Sequence, residues 1–358
     1  MCNSIISRIL PPTVFLVFLL AQSCDIRTPG PMPPAREDTC RARFSIHDPG
    51  TRATGVSPSD EERVARWALY VFSPAGELIA SGTSPSRSDI TVTVPAGTCR
   101  ACAVVNYPLS GAGSFDLTSI TTESALASTV AFLADNVPDG LEMYGSETFT
   151  LPTGTDAKTI PVERILSKVG VRKVTVRLAN AALAGQTFTL KGIWIDNVPS
   201  RTLLGSDCPY QQLGEERSLW YNAMDWHGSG SCTNPSCPDA LLGDRGIGVT
   251  IPQGGSYETE HWFYVIPNAT PSPSDSRTAA WSRRCTRLVI QAAVGTKTTY
   301  YAVTLPGLRR NNSYTIDEAV ITRLGSDDPE QEVPGAIELV FSTSDPSWDG
   351  PRRVTEAS

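Results

Sequence analysis

The chain has 358 residues, Lys+Arg 30 against Asp+Glu 37, a formal net charge of −7, and 40% hydrophobic but only 19% charged residues. That length suggests two domains with separate cores, and the composition excludes both a disordered chain and a polytopic membrane protein. An acidic balance with no basic run argues against nucleic acid, whose phosphates need a cationic patch. The histidines, His47, His227 and His261, lie far apart, so neither a histidine metal centre nor a triad is expected.

At the N-terminus, Arg8 precedes the apolar run Ile9–Ala21. This run is shorter than the ~20 residues that span a bilayer and fits the apolar region of a signal peptide. It ends at Leu20-Ala21-Gln22-Ser23-Cys24, which resembles a bacterial lipoprotein signal with Cys24 as the acylated mature N-terminus. Ala21 stands where Leu is usual, and ordinary cleavage near Ala21–Ser23 is the alternative. Residues 1–23 are thus expected to be a signal peptide and 24–39 a Pro-rich tether. Acyl chains on Cys24 would hold the protein at a membrane, at ~0.8 kcal/mol per buried CH₂.

Cys40–Ile46 alternates with Ala42, Phe44 and Ile46 on one face, the pattern of a half-buried strand. After a loop through Asp48–Arg52 and the polar Ser57–Glu62, Val64–Phe72 reads as an apolar strand closed by a Ser-Pro-Ala-Gly turn. Ile90–Val94 and Cys99–Tyr107 follow as strands joined by Pro95-Ala96-Gly97. Thr121–Ala134 places Leu126, Val130 and Leu133 at helical spacing and predicts a helix of about three turns. The polar Thr150–Pro161 reads as a domain boundary.

Strands are predicted at Val169–Leu178, Thr187–Ile195, His261–Ile266, Arg287–Val294, Thr298–Leu305, Tyr314–Thr322 and Ala336–Phe341. The span of about 205–254, with Cys208, Cys232, Cys237, Trp220 and Trp226, reads as a Cys-rich loop insertion. The expected architecture is mostly β: two tandem antiparallel β-sandwich domains of transthyretin/Ig-like Greek-key type, with one main helix in the first. The N-terminal sandwich would span 40–155 and the C-terminal one 156–358.

The order of these segments resembles the FimA-type fimbrillins of Bacteroidales. Val94–Tyr107, with Asn106 ending its strand, and the Met-containing Leu141–Ser146 match the first domain of that family. Val162-Glu163-Arg164 through Ser167-Lys168-Val169, Asn197-Val198-Pro199, Arg310-Asn311-Asn312-Ser313-Tyr314, Ile321–Pro329 and Trp348 match the second.

The resemblance implies a lipoprotein subunit of surface fimbriae at the cell outer membrane. An arginine-specific protease would cut the first loop, and a strand from the next subunit would fill the groove left by the first strand. On that model the shielding strand is Arg41–Ile46 and the cut separates Arg52 from Ala53; Arg43, Arg63 and Arg66 are nearby alternatives. Expected partners are other fimbrial subunits, the protease, a host or bacterial surface receptor or glycan, and the membrane. Ile337, Leu339 and Phe341 could form a donor strand, the alternative being a last core strand. The polar tail beyond Trp348 favours an accessory or tip subunit over a plain stalk subunit; an uncleaved anchor is the other option within the family.

Nine cysteines suggest disulfides in an exported chain. With Cys2 in the signal and Cys24 acylated, Cys40, Cys99, Cys102, Cys208, Cys232, Cys237 and Cys285 remain, an odd number. A Cys40 bridge to Cys99 or Cys102 would tether the first strand after cleavage. Cys99-x-x-Cys102 falls in a strand, where a redox pair lacks the helix N-terminus that stabilises a thiolate. Asp327-Asp328-Pro329-Glu330, and Asp225 with Asp244, lack calcium-loop spacing, so the acidic run reads as a solvated turn. Trp220 and Trp226 could form a glycan platform, which would suit a monomeric glycan-binding surface lipoprotein, although a buried loop core is the plainer expectation. No nucleophile motif or phosphate loop is present, so neither an enzyme, a metal nor a cofactor is expected.

Overall fold

The computed structural model describes residues 38–47, 63–111, 118–206, 219–221, 238–268, 283–344 and 351–353, with single positions 114, 116 and 270. Cys24, Arg52, Ala53, Cys208, Trp226, Cys232, Cys237 and Trp348 lie outside the described residues.

In the first half the elements are β1 (Thr39–His47), β2 (Trp67–Phe72), β3 (Leu78–Ser84), β4 (Ile90–Pro95) and β5 (Gly97–Val105). Then come helix α1 (Glu123–Ala127), β6 (Val130–Phe132), β7 (Met143–Leu151), β8 (Gly154–Pro161) and β9 (Glu163–Arg164). A three-stranded sheet in the order β4-β1-β8 faces a five-stranded sheet in the order β3-β2-β5-β7-β9. Side-chain alternation sends Trp67, Leu69 and Val71 of β2 into the core between them. Ala68, Tyr70 and Phe72 enter a second core on the other face. Burial on both faces is why β2 reads as a continuous apolar run.

The second half continues with β10 (Ser167–Val171), β11 (Val174–Val176), helix α2 (Ala181–Ala184), β12 (Phe188–Asp196), β13 (Val198–Pro199), β14 (Arg201–Leu203) and β15 (Trp220–Tyr221). Helix α3 (Asp239–Leu242), β16 (Gly243–Asp244), β17 (Val249–Ile251), β18 (Ser256–Tyr257) and β19 (His261–Val265) come next. The last strands are β20 (Arg287–Val294), β21 (Lys297–Thr304), β22 (Ser313–Ile321), β23 (Ile337–Ser344) and β24 (Pro351–Arg353). One sheet runs β18-β11-β22-β10-β19, with β23 added to β22 and β24 to β23. Another runs β16-β12-β20-β21, with β17 also on β12. Val169, Val174 and Ile316 of the first share a core with Leu190, Ile193, Leu288 and Ile290 of the second. The architecture is the expected tandem β-sandwich.

Several elements differ from the sequence reading. The predicted helix at Thr121–Ala134 stops at Ala127, capped by the Thr122 hydroxyl, which accepts from the Ala125 N–H at 3.2 Å. Val130–Phe132 instead pairs with β14, so tertiary pairing overrides helical spacing. Thr150–Pro161, read as a domain boundary, holds the end of β7 and all of β8. Val169–Leu178 divides at Arg172-Lys173 into β10 and β11, which both pair with β22. Within the Cys-rich insertion, β16 and β17 pair with β12, so that part is sheet rather than loop.

Among the described residues, the non-glycine positions with left-handed backbone are Asn106, Asn197 and Asn311, with φ of 56°, 56° and 55°. All occupy asparagine positions of the motifs quoted above. Asparagine tolerates this conformation better than other side chains, and here its amide also ties strand ends together. Asn106 Nδ2 donates to the Arg63 and Leu141 carbonyls at 2.8 and 3.0 Å, while its Oδ1 accepts from the Ala65 N–H at 2.9 Å. The two second-domain motifs meet: the Ser167 hydroxyl donates to the Arg309 carbonyl at 2.6 Å, and Asn311 N–H donates to the Leu166 carbonyl at 2.9 Å. Arg164 and Lys168 of the first motif are fully buried, with Lys168 Nζ 4.3 Å from the Trp262 ring centroid.

Candidate functional site: the slot filled by the first strand

β1 is the middle strand of its sheet. It pairs antiparallel with β4, Cys40 opposite Val94 and Phe44 opposite Ile90. On its other side it pairs in parallel with β8, Cys40 opposite Gly154 and Ile46 opposite Ile160. Its inward residues Cys40, Ala42, Phe44 and Ile46 are buried in the core with Trp67, Leu69, Met143, Leu151 and Val162. Without β1, both β4 and β8 would present unpaired N–H and C=O groups along an apolar trough, a template for another strand.

The contacts on the outer face of β1 are weak. Arg43 pairs with Asp89 at 3.4 Å between largely exposed side chains, and the Ser45 hydroxyl lies 2.9 Å from that of Thr159. Such exposed contacts add little, so the apolar inner face and the two backbone ladders hold the strand. Its chain leads from His47 directly into the 48–62 segment that contains Arg52.

Sequence reasoning missed β8, because its inward positions do not read as apolar. Asp156 and Lys158 occupy inward positions beside Ile160 and pair at 3.0 Å, with the Lys158 ammonium 5.9 Å from the Phe149 ring centroid. Charges directed inward from an edge strand discourage stray pairing, and they disguise the strand as linker.

The remaining candidates fall elsewhere. Ile337, Leu339 and Phe341 of β23 are half-buried against the main core, while Glu338 and Val340 face solvent. Trp220 is fully buried on a strand pair with Pro199, so neither ring face is open to a sugar. Cys99 and Cys102 point to opposite faces of β5, Cys99 into the sandwich core and Cys102 into the other, where the Tyr144 hydroxyl lies 3.7 Å from its sulfur. The Cys285 thiol donates to the Thr270 carbonyl at 3.0 Å. The acidic run Asp327–Glu330 is not a solvated turn: Glu330 is fully buried in an ion pair with the equally buried Arg284.

No family model and no curated protein sequence matches the chain. Solved structures do. A cell-adhesion candidate from Bacteroides eggerthii matches with a TM-score of 0.60 at 17% identity, over 86% of this chain and 96% of the other. Fimbrilin FimA of Porphyromonas gingivalis matches with a TM-score of 0.58 at 15% identity, over 85% and 96%. A cell-adhesion candidate from Parabacteroides distasonis matches with a TM-score of 0.60 at 13% identity, over 87% and 99%. At these identities the likeness establishes the fold: the chain shares the tandem β-sandwich fold of these structures.

Proposed function

We propose that the protein is a fimbrial adhesion subunit, exported as a lipoprotein acylated at Cys24 and displayed at the outer-membrane surface. Cleavage between Arg52 and Ala53 by an arginine-specific protease severs β1 from the rest of the chain, so that a strand from another subunit can take its place. The reading rests above all on the position of β1, a central strand with an apolar inner face whose chain continues into the Arg52 segment. FimA and the cell-adhesion candidates that share the fold support it. The complementary donor is β23, which offers Ile337, Leu339 and Phe341 at alternate positions. Nothing in the reading calls for catalysis: strand edges do the work, and the finished fibre presents a surface to its receptor.

Treatment of the purified mature protein with an arginine-specific protease, in the presence of reductant, tests this. A new N-terminus at Ala53 together with oligomer ladders on a native gel supports a polymerising subunit. Resistance at Arg52, or cleavage without assembly, removes that version; resistance leaves an uncleaved anchor, and either result leaves a glycan-binding surface lipoprotein. The glycan-binding alternative is weakened by the burial of Trp220.

A further inference from the structure

We propose that Cys40 and Cys99 form a disulfide in the exported protein, and that this bond keeps β1 in its slot even when the loop behind it is cut. The inference rests on the reading of β1 as a displaceable strand and adds a covalent control to it.

Among the described cysteines, only these two share a core. Cys102 faces the opposite side of β5, and Cys285 lies in the second half of the chain. Cys40 and Cys99 are free thiols in this structure, 0% and 2% exposed. They sit on facing sheets at the same end of the sandwich. Cys40 lies opposite Val94 and Gly154; Cys99 follows Val94 around the Pro95–Thr98 corner and lies opposite Phe149, just before the corner that leads to Gly154. Both corners carry the chain from one sheet to the other, so the sheets converge where the thiols stand. The Cys40 thiolate would be close enough to push the Cys99 thiol up, beyond the rise that burial already causes. Burial raises both thiols while the Lys158 ammonium opposes the rise at each, and two such thiols sharing one core are matched to bond with each other rather than to react with solvent.

The oxidant is a disulfide of an oxidising thiol carrier in the export compartment, acting as the chain folds. One cysteine thiolate attacks the carrier's disulfide to give a mixed disulfide. The second thiolate displaces the carrier, which leaves with the two electrons and takes up the two protons lost by the cysteines, becoming a dithiol. The product joins β1 of one sheet to β5 of the other. Cleavage after β1 would then leave the strand attached, and displacement would additionally require reduction.

The test has two parts. The full exported chain is denatured in excess maleimide, digested without reductant and mapped by mass spectrometry. A peptide pair linked through Cys40 and Cys99 is expected; quantitative alkylation of both, or Cys99 linked to another cysteine, overturns the proposal. A site-specific protease sequence placed within residues 48–62 then guarantees a cut that does not depend on Arg52. After cutting, the β1 fragment should stay attached on a denaturing gel without reductant and separate with it. In Cys40→Ser and, independently, Cys99→Ser, it should separate in both lanes. Separation from the wild-type chain without reductant refutes the latch. Neither readout involves polymerisation, so the latch can fail while the fimbrial reading stands, and the reverse.

Discussion

The ring of Phe44 on β1 meets that of Phe149 on β7 at a centroid distance of 6.0 Å and an angle of 57° across the core of the first sandwich. The tilted contact lies within the preferred range for aromatic pairs, and Phe44 is fully buried. Phe44 is therefore the main apolar anchor of the strand. Phe44→Ala should destabilise the chain by about 3–5 kcal/mol in urea unfolding. It should also speed exchange of backbone amides in β1 more than in β22, since the contact holds one strand in one slot.

Asn106 separates backbone conformation from hydrogen bonding. Its φ of 56° is open to glycine without strain, whereas its three amide bonds belong to the side chain. Asn106→Gly should therefore lose only the bonds, at roughly 1–3 kcal/mol. Asn106→Ala should lose a further ~1 kcal/mol for a left-handed β-carbon. Equal unfolding midpoints for the two variants would show that φ carries no cost here.

Glu142 makes stability depend on pH. Burial, then repulsion from Asp135, raises its carboxyl to about 8, with Arg310 opposing. The folded value lies above the unfolded one, so the unfolded chain releases this proton first as pH rises. The stabilising contribution is complete below about 4.3, the ordinary glutamate value, and declines as pH rises to about 8. Glu142→Gln should flatten the loss of stability between pH 5 and pH 8, measured as urea midpoints, and should be the more stable form at pH 8.

Arg284 and Glu330 bury a full ion pair next to Arg287 and Asp196, whose closest charged atoms are 3.9 Å apart. Glu330→Ala leaves Arg284 charged without that partner in the core and should cost about 3–5 kcal/mol. Replacing both, as Arg284→Met with Glu330→Leu, should cost less than Glu330→Ala alone. A double-mutant cycle in urea measures the difference.

Where one face of a strand is apolar and its ends are punctuated, local sequence suffices: Arg287–Val294 is read to the residue, and Cys40–Ile46 differs from β1 by one residue at each end. Where partners decide, it does not. Asp156 and Lys158 disguised β8, and pairing with Arg201–Leu203 drew Val130–Phe132 out of a helical spacing. Burial of Arg164, Lys168, Arg284 and Glu330 was hidden for the same reason, because charge in a core is legible only once its distant partners are known. Of the site, the inward face of β1 was legible in Ala42, Phe44 and Ile46. Its central place was not, since that depends on β8, more than 100 residues along.

The central claim is that β1 fills a slot which another strand can take. Hydrogen exchange at the amides of β4 and β8 measures it most directly. The protein should be cut within residues 48–62, reduced and washed free of the β1 fragment. The account predicts protected amides in the intact chain, rapid exchange along both flanking strands after β1 is removed, and restored protection on adding a peptide with the sequence of residues 337–344. Amides that stay protected without β1, or that remain open with the peptide in excess, would contradict it.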